Sequence, residues 1–154
     1  LLGAWACDCG RLNRVVSLWS GSTDDATDDG DDWLSPAPVR RALKVRRPFA
    51  AHGASAPLAE LRQYALQPGA RETFVSALLA ALPHRERYSP CAGLWTTRER
   101  GVDVAVHMWP YASFAERLAA RAAAQRDPQW NDYRMAIRPL VAAMQASLLT
   151  PLPA

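Results

Sequence analysis

Two short stretches carry most of the chemical potential in this chain. Glu60, Arg62 and Tyr64 alternate along residues 58–66, and His107 and Trp109 close the run Val102-Asp103-Val104-Ala105-Val106-His107-Met108-Trp109. Side chains two apart on an extended strand point to one face. If the two strands are neighbours, a carboxylate, a guanidinium, a phenol, an imidazole and an indole meet on a single surface. There His107 is a candidate general base titrating near neutrality, oriented by Glu60 or Asp103, and Arg62 a candidate anion holder. The plainer reading is a Glu60 to Arg62 pair beside a hydrogen-bonded histidine under an aromatic lid. No activated nucleophile, cofactor motif or metal cluster accompanies these residues, so no catalytic residue is assigned and neither a cofactor nor a metal is expected.

The aromatic residues support a second kind of function. Trp95, Trp109 and Tyr111 could anchor a protein partner or a small apolar ligand, although aromatics at strand spacing also serve as core. The candidate cavity is therefore Glu60, Arg62, Tyr64, Trp95, His107 and Trp109. Cys7, Cys9 and Cys91 form no disulfide framework and lack further ligands at metal-site spacing; they read as structural thiols in a reducing compartment. Asp24, Asp25, Asp28, Asp29, Asp31 and Asp32 crowd one loop, but a calcium loop starting at Asp25 would meet Pro36 where the bidentate Glu belongs. The basic block around Arg40, Arg41, Lys44, Arg46 and Arg47 reads as a solvated face. A net charge of +3 on 154 residues does not argue for nucleic acid.

The elements that must position these groups follow from periodicity. Residues 58–66 form a strand, and Gln67-Pro68-Gly69 turns the chain. Residues 70–82 form an amphipathic helix with Phe74, Leu78 and Leu82 on one stripe, which Pro83 stops. A hairpin runs over residues 93–109. Ser113-Phe114-Ala115-Glu116 is a capping box, with Glu116 bonding back to the Ser113 amide, and opens a helix to about Arg126. Asp127-Pro128 starts another, carrying Trp130, Tyr133 and Ile137 inward, and residues 144–150 are a closing strand. The order strand, helix, strand, strand, helix, strand is an α+β, ferredoxin-like arrangement.

An internal repeat extends this picture. Gly3-Ala4-Trp5 and Val15-Val16-Ser17-Leu18-Trp19 stand 90 residues before Gly93-Leu94-Trp95 and Ala105-Val106-His107-Met108-Trp109, and Trp33 answers Trp130. Residues 1–57 thus read as a partial first repeat of hairpin, acidic loop and linker, and residues 58–154 as one complete module. Leu1 starts inside a strand without an initiator Met, which reads as a fragment. Topology predicts that residues 1–19 dock as a hairpin on the complete module. Residues 20–57 are expected to be irregular and mobile, because a strand at 44–50 would lack its neighbour within its own repeat.

These residues resemble the NIPSNAP family. The resemblance is carried by Glu60-Leu61-Arg62-Gln63-Tyr64-Ala65-Leu66-Gln67-Pro68-Gly69, Gly93-Leu94-Trp95-Thr96-Thr97, Val106-His107-Met108-Trp109-Pro110-Tyr111, the Asp127-Pro128-x-Trp130 turn and Leu148-Leu149-Thr150-Pro151. It implies a tandem repeat of dimeric α/β-barrel modules, with a homodimer or repeat-to-repeat pairing. It also implies a non-enzymatic binding or scaffold role in mitochondrial quality control or vesicle traffic, mitochondrial for a eukaryotic member and cytoplasmic otherwise. The alternative is a small-molecule enzyme or ligand-binding protein using the barrel cavity around His107, since in such barrels the sheet face away from the helices lines the cavity. With 49% apolar and 21% charged residues the composition is that of a soluble globular protein, and no apolar run is long enough for a membrane span.

Overall fold

A computed structural model describes residues 1–9, 15–21 and 41–152. Seven strands form one antiparallel sheet: β1 (Gly3–Cys9), β2 (Val15–Leu18), β3 (Lys44–Arg47), β4 (Leu58–Leu66), β5 (Gly93–Glu99), β6 (Val102–Tyr111) and β7 (Val141–Pro151), in the spatial order β2-β1-β7-β4-β6-β5-β3. The central four, β7-β4-β6-β5, have the ferredoxin-like order expected from the sequence, and β7 is longer than the expected closing strand. The helices are α1 (His52–Ser55), α2 (Arg71–Arg85), α3 (Phe114–Ala124) and α4 (Pro128–Ile137).

Both faces of the sheet are apolar cores. On one, α2 and α4 bring Phe74, Leu78, Leu82, Tyr133 and Ile137 against Tyr64, Ala105 and Trp109. On the other the sheet curls around Trp5, Leu61, Trp95, Val106, Met108 and Leu149, with Phe49 packed among them. Phe49 touches the tryptophan of each repeated motif: its ring centroid lies 6.2 Å from that of Trp5 and 6.1 Å from that of Trp95. The shared Gly-x-Trp spacing has a steric cause. A methyl group built on Gly3 would sit 2.5 Å from the Trp5 ring, and one on Gly93 2.4 Å from the Trp95 ring, so each indole lies over the glycine two residues before it. Arg100 and Gly101 join β5 to β6 with φ of 49° and 85°, as a two-residue hairpin turn requires.

The hairpin β1–β2 docks on β7, with Trp5 opposite Pro151 and Cys7 opposite Leu149. The expectation of irregular chain over residues 44–50 is corrected by β3, which pairs with β5 through Lys44↔Thr96 and Val45↔Trp95. The free edge of β5 supplies the ladder that its own repeat lacks, and Pro48 falls just beyond the paired residues. Arg46 and Arg47 add ion pairs to Glu72 and Glu86. The expected linker is packed as well: Phe49 lies in the core, the amide of Ala50 donates to the carbonyl of Ala92 at 2.8 Å, and Gly53 is buried. The acidic segment with its calcium-loop reading, Arg40 and Trp33 lie outside the described residues.

Two helix ends depart from expectation. Helix α2 runs through Pro83 to Arg85, and the amide of Glu86 still donates to the carbonyl of Leu82 at 2.8 Å. A proline so near a C-terminus forfeits one hydrogen bond in a turn that frays in any case, while the extra turn inserts Arg85 into the core. At α3 the Ser113 hydroxyl accepts from the Glu116 amide at 3.1 Å, but the Glu116 carboxylate bonds the amide of Ala112 and not that of Ser113. Asp127 caps α4 as expected, accepting from the amides of Gln129 and Trp130 at 2.9 and 3.1 Å.

Candidate functional site

Strands β4 and β6 are direct neighbours, with Glu60 opposite Trp109 and Arg62 opposite His107. Glu60, Arg62, Tyr64, His107 and Trp109 therefore share one face, as the period of two requires. That face lies under the helices, not away from them. The inward-facing set opposite is Ala59, Leu61, Val104, Val106 and Met108, which fills the curl of the sheet with hydrocarbon. Trp95 belongs to this second set and is separated from the other candidates.

A cavity of about 650 Å³ opens between the helix-covered face, α3 and α4. Arg62, Tyr64, His107 and Trp109 form its floor, and Trp130, Tyr133 and Ile137 its helical wall. Met144 and Val141 of β7 lie at its edge with Arg134 and Arg138, both exposed. Rings line it in edge contacts: Tyr64 to His107 at 5.0 Å, His107 to Trp109 at 5.8 Å and Trp109 to Trp130 at 6.5 Å. A shallower depression of about 350 Å³ lies beside β3 and β5, lined by Leu43, Lys44, Arg71 and Thr96.

Glu60 closes one end of the site without lining it. Its buried carboxylate accepts from Arg117 Nε and Nη2 at 3.1 and 3.0 Å and from Arg121 Nη1 at 3.1 Å, tying β4 to α3. Burial pushes its pKa up, but the Arg117 hydrogen bond and the charges of Arg62, Arg121 and Arg117 outweigh that and hold it below 4.5. The expected Glu60 to Arg62 pair is thus replaced by pairs to α3. Asp103 is engaged elsewhere, with Arg71 at 3.0 Å.

Neither carboxylate orients His107. The indole Nε1–H of Trp109 donates to His107 Nδ1 at 2.6 Å. An indole is a donor only, so Nδ1 accepts and the neutral ring carries its proton on Nε2. Burial, followed by the charges of Arg62 and Arg85, drives the histidine pKa well below 6.5. The ring is neutral with a buried Nε2–H that has no partner among the described residues, and the reading of His107 as a base titrating near neutrality is corrected.

Arg85 is a buried residue of the candidate site that sequence reasoning missed. It is 5% exposed, donates from Nη2 to the Tyr111 hydroxyl at 3.1 Å and stacks over Trp109, its guanidinium 4.7 Å from the ring centre. Arg62 similarly sits 5.3 Å from the centre of the Tyr64 ring. The signal that could have found Arg85 was its spacing from Leu78 and Leu82, which continues the buried stripe of α2 past Pro83. Among the described residues no group of three or more His, Cys, Asp or Glu could hold a metal, and no helix is long and apolar enough to cross a membrane.

The NIPSNAP family model matches residues 59–154. A putative NipSnap protein of Caenorhabditis elegans is 26% identical over 98% of this chain and 32% of its own length. A NipSnap homolog of Dictyostelium discoideum is 25% identical over 84% of this chain and 65% of its own. The chain thus spans a third to two-thirds of the lengths of these relatives. Among solved structures, an uncharacterized NIPSNAP domain protein from Burkholderia xenovorans superposes with a TM-score of 0.57 at 26% identity, covering 63% of this chain and 94% of that one. A NIPSNAP family protein of unknown function from Agrobacterium tumefaciens shares the fold, with a TM-score of 0.57 at 22% identity over 61% of this chain and 86% of its own. With the family model matching residues 59–154, more than half of the chain, the chain belongs to the NIPSNAP family.

Proposed function

We propose that this chain binds a small organic molecule in the cavity between the sheet and helices α3 and α4. The observation that carries the reading is the cavity itself, about 650 Å³, lined by aromatic rings together with arginines and amide side chains; this is the size of sites that enclose drug-sized ligands. A protein partner anchored on Trp95, Trp109 and Tyr111 has less support, because all three side chains are buried. Proton abstraction by His107 also has less support, since its Nδ1 lone pair is already occupied by Trp109. The setting we attach to ligand binding is the one the family suggests, vesicle traffic or mitochondrial quality control in a eukaryotic source.

Calorimetric titration with 2-naphthoate and 2-naphthalenemethanol tests the reading. Saturable one-to-one binding of at least one probe is expected, weakened at least fivefold by Ala124→Leu, which extends a side chain into the cavity. Absence of binding by both at millimolar concentration would overturn it. So would unchanged binding in an Ala124→Leu protein that keeps the parent melting temperature.

A further inference from the structure

The floor of the cavity has a surplus of donors. Among the described residues five buried side-chain atoms have no hydrogen-bond partner, and three of them, Arg62 Nε, Arg85 Nη1 and His107 Nε2, belong to residues lining this one cavity. All three are N–H groups. Leaving buried donors unpaired costs free energy, more so for charged groups. Three in one place indicate that the occupant supplies acceptors.

The charge balance agrees. Of the 18 residues lining the cavity five are arginines and none is Asp or Glu. Arg121 shares the Glu60 carboxylate with Arg117, but neither Arg62 nor Arg85 has a carboxylate within ion-pair distance among the described residues. Each is instead laid against an aromatic ring, Tyr64 and Trp109 respectively, which fixes its position without cancelling its charge. The imidazole is held too, because the Trp109 bond fixes both the tautomer and the ring plane. Two guanidinium groups and one imidazole N–H, fixed before the ligand arrives, form a planar-donor set of the kind that matches a carboxylate. Beside this set one stretch of wall is aromatic and aliphatic: the Trp130 and Tyr133 ring centroids lie 4.6 Å apart, and Ile137 lines the same cavity.

We infer that the occupant is a carboxylate on a flat, largely apolar body, with its oxygens bonded to Arg62, Arg85 and His107 and its rings against Trp130 and Tyr133. This rests on the small-ligand reading above. Arg134 and Arg138, exposed at the edge of the cavity, draw such anions toward it.

The deciding comparison uses the unmodified chain and the same two probes, which share a ring system and differ in the anionic group. The 2-naphthoate is expected to bind at least tenfold more tightly than 2-naphthalenemethanol, in keeping with charge-assisted bonds to buried donors. Arg62→Gln is expected to remove most of that preference for the acid, and its melting temperature reports whether it folds. Equal affinity of the two probes would overturn the anion inference and leave the cavity reading standing. Binding of neither would overturn both. A preference for the acid that survives in folded Arg62→Gln and in folded His107→Phe would place the anion elsewhere and overturn the assignment.

Discussion

The two faces of strands β4 and β6 are made by alternate residues of the same two stretches, nine and ten residues long, yet they differ in what they bury. The face inside the curl presents Leu61, Val106 and Met108 to Trp5, Phe49, Trp95 and Leu149, and contributes only packing. The face under the helices also has an apolar core, around Tyr64, Phe74 and Leu78, but in addition buries Glu60, His107 and Arg85. Apolar packing alone would serve the fold there, and burying charged groups costs desolvation. The contrast places packing on both faces and the proposed ligand selectivity on one.

Four changes test this contrast. The largest effect is expected from Trp95→Ala, which empties the centre of the inner face and should cost about 3–5 kcal/mol in urea unfolding, with the 2-naphthoate affinity of the folded fraction unchanged. A matching loss of affinity would mean that the two faces are coupled. Glu60→Gln leaves Arg117 and Arg121 facing a neutral amide. Because both guanidinium groups keep some contact with water, the cost should be about 2–3 kcal/mol, below that of breaking a fully buried pair.

That loss should depend on pH in a definite direction. The Glu60 carboxyl is held below 4.5 in the folded state, so its contribution is fully present above the unfolded value and lost as pH falls through the folded one. The parent and Glu60→Gln proteins should therefore converge in stability on acidification below about pH 4.5, and denaturant titrations at pH 7 and pH 3 measure the difference. Convergence on raising the pH would show that another group carries the effect.

On the inner face Gly93→Ala should cost about 1–3 kcal/mol, since its methyl group would meet the Trp95 ring at 2.4 Å; a shift in melting temperature near zero would mean that the indole moves aside freely. The smallest effect is expected from Ser113→Ala, about 1 kcal/mol for the lost bond to the Glu116 amide. Since Ser113 lies outside the cavity, probe binding should be untouched, and lost affinity at full stability would give Ser113 a role in the site.

Strand alternation made the shared face of Glu60, Arg62, Tyr64, His107 and Trp109 legible, because register between neighbouring strands preserves the period of two. It could not say which face the helices cover. Both faces of β6 are buried, so its valines fit an inner curl as well as a helix layer. Arg85 stayed hidden behind Pro83, a stop signal whose cost is small in a last turn. Arg117 and Arg121 read as ordinary helix-surface residues, since their partner is 57 or 61 positions away. The strand at Lys44 to Arg47 was obscured because its partner edge, β5, lies far away in the sequence, a contact that local pattern does not encode.

The pairing of β1 with β7 has a kinetic consequence. Trp5, Ala6 and Cys7 lie against Pro151, Thr150 and Leu149, so although β1 can pair locally with β2, its second ladder waits for the last strand. Contacts this distant in sequence carry a large loop-closure cost and slow the search for the native state. A chain emerging from the ribosome can assemble the β5–β6 hairpin and place it against β4 well before residues 141–151 arrive. Until then the fully buried Trp5 has no partner strand at β7 and the edge of β4 that β7 will occupy is bare. Over that interval the open sheet edge and the uncovered tryptophan make the nascent chain prone to aggregation.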